Sequence, residues 1–416
     1  MLGYDAENNI DKLIADAEAE LRPYFAAADD ISYARTRDIM DAFRECGMSE
    51  ACLMPTTGYG YGDRGRETLE RVYARVFGCE AALVRHSIAN GTHALTIGLF
   101  GLLRPGDVML AVTGTPYDTL MGVIGINGKP GRGSLADFGI GYRELPLCDG
   151  HIDFDAVGKA LEESPSIRVV YAQRSRGYGT RAALSVSELD RLSEFVAGKS
   201  GAYVVVDNCY GEFTEAHEPH ADLIIGSLIK NPGGGLALSG GYLAGSAEAV
   251  ELVSYRYTTP GTGAEVGATI GQNRNMIQGF FMAPHTVAQA KKTAMLAAYV
   301  FGALGYEVSP RWDEPRADII ETVTLRDPDA LCAFCRGIQS ASPVDAFVVP
   351  EPWDMPGYED KVIMAAGTFV SGASIELSAD GPLRPPYIAY MQGALSYESG
   401  KLAVRSAALS LIEARK

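Results

Sequence analysis

Apolar positions along this chain follow two periods. In residues 64–77, Leu69, Val72, Tyr73, Val76 and Phe77 share one face, the 3.6-residue period of an amphipathic helix. Ala81-Ala82-Leu83-Val84 follows as a short strand, and residues 91–103 read as a helix that stops before Pro105. Val108 to Val112 and Ile167 to Ala172 are further strand candidates. Ser185-x-x-Glu188 is a capping box opening a helix that runs to Val196 and ends at Gly198. Two more apolar runs follow, Tyr203-Val204-Val205-Val206 and Leu223-Ile224-Ile225. Strands alternating with helices predict an α/β fold with a mostly parallel sheet covered on both faces. Residues 1–50 read as helical and polar, and a long helical pattern runs from about Pro284 to Leu304. The remainder mixes short strands, Pro/Gly turns and a closing helix. The expected organisation is an N-terminal helical segment (1–50), a large domain (51–290) and a smaller C-terminal α+β domain (291–416).

Composition narrows the class of partner. The formal net charge is -16 with no Lys/Arg cluster, which argues against nucleic acid and anionic membrane surfaces. No apolar run has membrane-spanning length, and the acidic start Met1-Leu2-Gly3-Tyr4-Asp5 lacks the order of a signal peptide. Seven scattered cysteines suit reduced thiols, so a cytoplasmic location is expected.

The chemistry concentrates where two apolar runs end. One closes on Asp207. The other leads through Ser227 to Lys230 and then Gly233-Gly234-Gly235. A lysine that bonds the aldehyde of pyridoxal phosphate (PLP), and a carboxylate that keeps its pyridine nitrogen protonated, need this arrangement at strand ends. A Ser-x-x-Lys nucleophile motif is the competing reading. It requires Ser-Asp-Asn and Lys-Thr-Gly elsewhere, and neither occurs. Asn90-Gly91-Thr92, between a strand and a helix, can present N–H groups and a hydroxyl to a phosphate. Tyr117 follows another strand, where it can stack on a cofactor ring. Arg384 stands in a proline-rich segment and offers a bidentate grip for an amino-acid carboxylate. Gly58 to Arg66 lacks a preceding strand, so it is not a dinucleotide loop. Its tyrosines and arginines suit a phosphate or a neighbouring subunit. Cys332 and Cys335 read as two cysteines on one helix face. His217-Glu218-Pro219-His220 is not a metal helix, and no metal is assigned.

With these residues in place, the chain resembles the fold-type-I PLP-dependent transferases of the cystathionine/methionine γ-lyase class, and within them the aluminium-resistance branch. The resemblance rests on Thr57-Gly58-Tyr59-Gly60-Tyr61, Gly91-Thr92-His93-Ala94, Pro116-Tyr117-Asp118, Asp207-Asn208-Cys209-Tyr210-Gly211, Ser227-Leu228-Ile229-Lys230-Asn231-Pro232 and Glu376-Leu377-Ser378-Ala379-Asp380-Gly381-Pro382. It implies a large domain with a mostly parallel sheet and a smaller C-terminal α+β domain. It implies Lys230 as the cofactor lysine, Asp207 as the pyridine partner and Tyr117 as the stacking ring. Gln173 would contact the ring hydroxyl. Asn90, Gly91, Thr92 and Ser227 would hold the phosphate, with Tyr59, Tyr61 and Arg64 reaching in from a neighbouring subunit of a homotetramer and Tyr59 serving catalysis. The chain departs from the family at Asn90, at Gly179-Thr180-Arg181 and at Leu238-Ser239, so its specificity is expected to differ. The implied activity is β- or γ-elimination from a small L-amino acid, with C–S or C–halogen cleavage. Release of an alkyne amino acid from a γ-halogenated vinylic precursor is one such outcome. The alternatives are a PLP-dependent aminotransferase and a non-catalytic ligand-binding protein of the same fold.

Overall fold

The computed structural model describes residues 2–415. It opens with a 44-residue helix, α1 (Leu2–Glu45). Ile10, Ile14, Ala17, Leu21, Ala28, Ile39 and Ala42 are buried along it, at the spacings that keep one helical face. Helix α2 (Arg64–Phe77) starts where the Asp63 carboxylate accepts the Arg66 N–H, and stops at Gly78, whose φ of 69° closes it in the left-handed region. Then come β1 (Ala81–Arg85), α3 (Gly91–Leu102), β2 (Val108–Ala111), α4 (Asp118–Ile124), β3 (Gly141–Glu144), α5 (Phe154–Glu163) and β4 (Ile167–Gln173). They are followed by α6 (Val186–Ala197), β5 (Tyr203–Asp207), β6 (Leu223–Ser227), β7 (Gly241–Gly245) and α7 (Ala247–Tyr257).

These strands form one seven-stranded sheet in the order β1-β7-β6-β5-β4-β2-β3. Strands β2 to β6 pair in parallel, and β7 runs antiparallel to both β6 and β1. The sheet is thus mostly parallel, as the alternation of strands and helices predicts. Val204, Val206 and Ile224 enter a core shared with α2, α5 and α6. Tyr203, Val205, Leu223 and Ile225 enter a second core with α3 and α7. Burial on both faces is why these strands read as unbroken apolar runs.

The 31-residue helix α8 (Asn273–Ala303) leads to the second body. There β8 (Glu307–Ser309), β9 (Ile320–Thr324), α9 (Pro328–Ser340), β10 (Val362–Ala365), β11 (Ser378–Pro382), β12 (Ile388–Gln392) and α10 (Tyr397–Ala414) follow. The strands make an antiparallel sheet in the order β10-β11-β12-β9-β8. Its residues alternate with the two-residue period of a strand. Ile363, Ala365, Ala379, Ala389 and Met391 pack with α9 and α10. Ser378, Asp380, Tyr390 and Gln392 turn the other way, toward the large domain.

The boundary expected after residue 290 falls inside α8. Met276 to Ala290 belong to the large-domain core, Met295 to Phe301 to the small-domain core. Helix α1 divides in the opposite sense, with Ile39 and Ala42 in the large core and Ile10 to Leu21 in the small one. The N-terminal segment therefore belongs to both cores. Among the described residues, no helix is long and apolar enough to cross a membrane.

Candidate active site

Side-chain parity explains why the site forms. Asp207 points to the same face as Tyr203 and Val205. Ser227 shares the face of Leu223 and Ile225, and Tyr171 and Gln173 do the same on β4. All four leave the carboxyl ends of adjacent parallel strands on the side where α3 begins, the usual ligand position of an open α/β sheet. Asp207, Ser227 and Gln173 line a cavity of about 270 Å³ together with Gly91, Thr92, Tyr117 and Lys230, while Tyr171 stays behind Asp207 and donates to it.

Asp207 is nearly buried, at 7% exposure. One of its oxygens accepts the Cys209 N–H (3.1 Å) and the other the Tyr171 hydroxyl (3.4 Å). These few, long contacts leave carboxylate lone pairs free. Behind it, Asn208 is locked by Arg174 (2.7 Å) and Glu218 (3.0 Å), both fully buried. That paired network fixes the backbone from which Asp207 projects. Lys230 caps a short 3₁₀ turn, Asn231–Gly233, just after β6. Its ammonium lies 4.0 Å from the centroid of the Tyr210 ring. Tyr210 itself holds a φ of 71°, a strained backbone for a non-glycine residue. Burial works against the Lys230 ammonium, yet Cys209, Tyr210, Asp207 and Glu212 together hold it above the ordinary lysine range. Glu212 is itself pushed up to about 8, chiefly by burial.

The lysine turn is held from two sides. The Asn231 amide donates to the carbonyls of Tyr210 and Glu212, both at 2.9 Å. Below it, Gly279 of α8 faces the turn directly: a Cβ there would lie 2.2 Å from the Gly233 carbonyl oxygen. From the turn's side a Cβ on Gly234 would lie 2.3 Å from the Gly279 carbonyl oxygen, so only backbone fits here. Gly279→Ala is expected to cost about 1–3 kcal/mol of stability and to weaken cofactor retention. Denaturation midpoints and cofactor release rates check this, and an unaltered release rate would contradict it.

At the start of α3, Asn90 is the cap. Its side-chain oxygen accepts the His93 N–H at 2.8 Å. The N–H groups of Gly91 and Thr92 have no protein partner among the described residues. The Ser227 hydroxyl is buried and likewise unpartnered. Gln173, expected at the ring hydroxyl, commits both ends of its amide to backbone. It accepts the Tyr117 N–H (2.8 Å) and donates to the Ser175 carbonyl (3.0 Å). These bonds brace the Tyr117 backbone, and Gln173 still lines the cavity with one amide hydrogen and one lone pair to spare. The Tyr117 hydroxyl meets that of Tyr358 at 2.6 Å.

Four expected residues lie elsewhere. Tyr59 and Tyr61 stack on each other at 5.5 Å and are 73% and 65% exposed, outside this chain's own cavity. Arg64 is exposed at the start of α2. Arg384 lines a neighbouring cleft beyond Tyr117, Gln173 and Gly177, where it pairs with Asp360 at 3.1 Å. Arg176 lines the same cleft, buried, with its Nε and Nη2 unpartnered. Other residues at the cavity were not singled out from sequence: Cys209, Tyr210, Tyr178, Tyr358, Ser374 and Asp380. For Asp380 a signal existed, since polar Ser378 and Asp380 alternate with apolar Leu377 and Ala379.

The site fits PLP on its own chemistry. Among the described residues, a lysine without an ion pair, an under-coordinated carboxylate, an orphaned serine hydroxyl and two free helix N–H groups surround one cavity. On a sheet of this order, they define the fold-type-I architecture of PLP-dependent enzymes. The methionine gamma-lyase family model matches residues 10–412, and the chain belongs to that family. YnbB of Bacillus subtilis is 50% identical over 407 residues, 97% of this chain and 96% of that protein. A solved carbon-sulfur lyase involved in aluminium resistance from Clostridium novyi is 47% identical with a TM-score of 0.94, covering 98% of this chain and 97% of that one. L-methionine gamma-lyase of Pseudomonas putida is 26% identical over 209 residues, 50% of this chain and 48% of that enzyme.

Proposed function

We propose that this protein is a PLP-dependent lyase that breaks a carbon–sulfur bond of an L-amino acid by β- or γ-elimination. The observation that carries this reading is the convergence of Lys230, Asp207 and the unpartnered Ser227 hydroxyl on one cavity. Ser227, Gly91 and Thr92 would take the phosphate, Asp207 the ring nitrogen, Tyr117 the ring face and Lys230 the aldehyde carbon. When bound, the cofactor supplies an electron sink conjugated with the substrate's Cα. The rest falls to side chains. Asp207 holds a proton at the ring nitrogen. Lys230, as a free amine, removes the proton at Cα and returns one to the departing group. A γ-leaving group also requires a proton to move at Cβ, for which Lys230 and the tyrosines are the available carriers. The α-carboxylate falls to the arginine cleft, with Arg384 as the exposed donor and Arg176 as the buried one.

Borohydride treatment of the cofactor-loaded protein should fix a pyridoxyl group on Lys230, and a labelled peptide from elsewhere would sink the assignment. Thiol release with a 2-oxo acid and ammonia from sulfur-bearing L-amino acids would separate a lyase from an aminotransferase. The same panel should include γ-halogenated vinylic amino acids, whose elimination would leave an alkyne.

The active unit of this reading is a dimer within a cytoplasmic homotetramer. Tyr59, Tyr61 and Arg64 project from their own chain and would complete a neighbour's phosphate site. Mixing inactive Arg64→Ala chains with inactive Lys230→Ala chains should restore part of the activity, since one hybrid site carries neither change. No recovery after verified subunit exchange would mean self-contained sites.

A further inference from the structure

The cavity holds more unpartnered polar atoms than the cofactor reading uses. Besides Ser227, the Asp380 Oδ1, the Ser374 hydroxyl and the Tyr178 hydroxyl are buried with no hydrogen-bond partner among the described residues. All three residues line the same cavity. Asp380 is 9% exposed and Ser374 is 6% exposed. Both come from the small domain, which covers the floor built by Asp207, Ser227 and Lys230. Asp380 sits mid-sheet on β11, between β10 and β12, with its side chain turned away from the small-domain core. Its position is therefore set by strand parity and not by a loop.

A carboxyl group there is costly. It forms no ion pair among the described residues. Burial pushes it up to about 7, with opposing help from Tyr178 and Lys230. Structural carboxylates avoid this by pairing. Lys230, the one cation among the described residues that line the cavity, is taken by the cofactor in the reading above. What would complete Asp380 is a positive or N–H-bearing group brought in by the ligand. Tyr178 and Ser374 can accept further hydrogens from the same group, and Tyr178 is held in place by the Tyr390 hydroxyl, which donates to its carbonyl at 2.8 Å.

We propose that Asp380, with Ser374 and Tyr178, forms a subsite for the substrate side chain, and that the preferred substrates are L-amino acids carrying a second amino group. The inference rests on the reading of Lys230 and Asp207 as the cofactor's ligands. It does not depend on which bond the enzyme breaks. A side-chain carboxylate would meet Asp380 with no cation to offset it, so anionic side chains are disfavoured at this position.

The test separates binding from chemistry. L-Ornithine and L-lysine contain no leaving group, and L-norvaline and L-norleucine are their near-isosteres without the terminal ammonium. Calorimetric titration of the cofactor-loaded enzyme should give the diamino acids at least about tenfold tighter binding, and L-2-aminoadipate the weakest. Asp380→Asn, nearly isosteric, should bring the lysine-to-norleucine ratio to about one. Ser374→Ala, which removes only a neutral partner, should narrow it by a smaller factor. A second arm compares elimination from S-(2-aminoethyl)-L-cysteine and S-propyl-L-cysteine, which share a leaving atom. If elimination proceeds without preference, and lysine and norleucine bind alike, the subsite is overturned and the lyase reading stands. If neither these thioethers nor their homocysteine homologues, whose sulfur leaves from Cγ, are cleaved but lysine is still favoured through Asp380, the lyase reading fails and the subsite stands. An unchanged ratio in a folded Asp380→Asn enzyme also overturns it.

Discussion

Lys230→Ala is expected to reduce turnover on the order of a thousandfold or more. The change removes the covalent anchor of the cofactor and the amine that moves the proton at Cα, and a positioned proton carrier alone accounts for roughly 10²–10⁴-fold. The fold should survive, because the Lys230 side chain stands in the cavity and the turn that carries it is held by Asn231 and by the Gly233–Gly279 contact. The variant should still bind the cofactor non-covalently through Ser227 and Asp207. Borohydride should then label no lysine at all. The measurement is the single-turnover rate of the loaded variant beside its denaturation midpoint. A variant that keeps more than about a tenth of the wild-type rate would place proton transfer on another group.

Asp207→Asn should follow with a loss on the order of a hundredfold or more, the scale of removing one preorganised electrostatic contact. The amide oxygen can still accept the Cys209 N–H, so Asn208, Arg174 and Glu218 should stay in place. What is lost is the negative charge that holds a proton on the pyridine nitrogen. The effect should fall on the rate of the Cα proton step more than on substrate affinity, seen as a drop in kcat with little change in KM. Near-normal kcat in a folded variant would show that the ring nitrogen does not need this carboxylate.

Much of this site was legible because its key residues obey local rules. Asp207 and Ser227 end apolar runs whose parity can be counted. Lys230 precedes glycines whose left-handed backbone at Gly234 and Gly235 and close approach of Gly279 to Gly234 leave no room for side chains. The large sheet and its helices follow from patterns that neighbouring residues set. What the sequence hid depends on distant partners. Tyr117 meets Tyr358 across 241 positions. The backbone partners of the Gln173 amide, Tyr117 and Ser175, are set by loop geometry. Arg384 lies in the neighbouring cleft, on the far side of Tyr117 and Gln173, and its partner Asp360 is 24 positions away. Asp380 carried a two-residue period, yet its burial depends on the large domain lying across its sheet face. The sharing of α1 between two cores could not be read from a polar helix whose buried positions are served by different partners along its length.

Helix α8 gives the molecule a mechanical property. It rises about 1.5 Å per residue, so roughly 36 Å of helix, with Pro284 inside it, runs from Gly279 beneath the lysine turn to its end at Ala303 in the small domain. Its contact with that turn is backbone on backbone at Gly279, and beside it the Thr286 hydroxyl donates to the Gly234 carbonyl at 3.3 Å. A displacement of the small domain would therefore meet the lysine turn through one continuous element, and Pro284 marks where that element can bend.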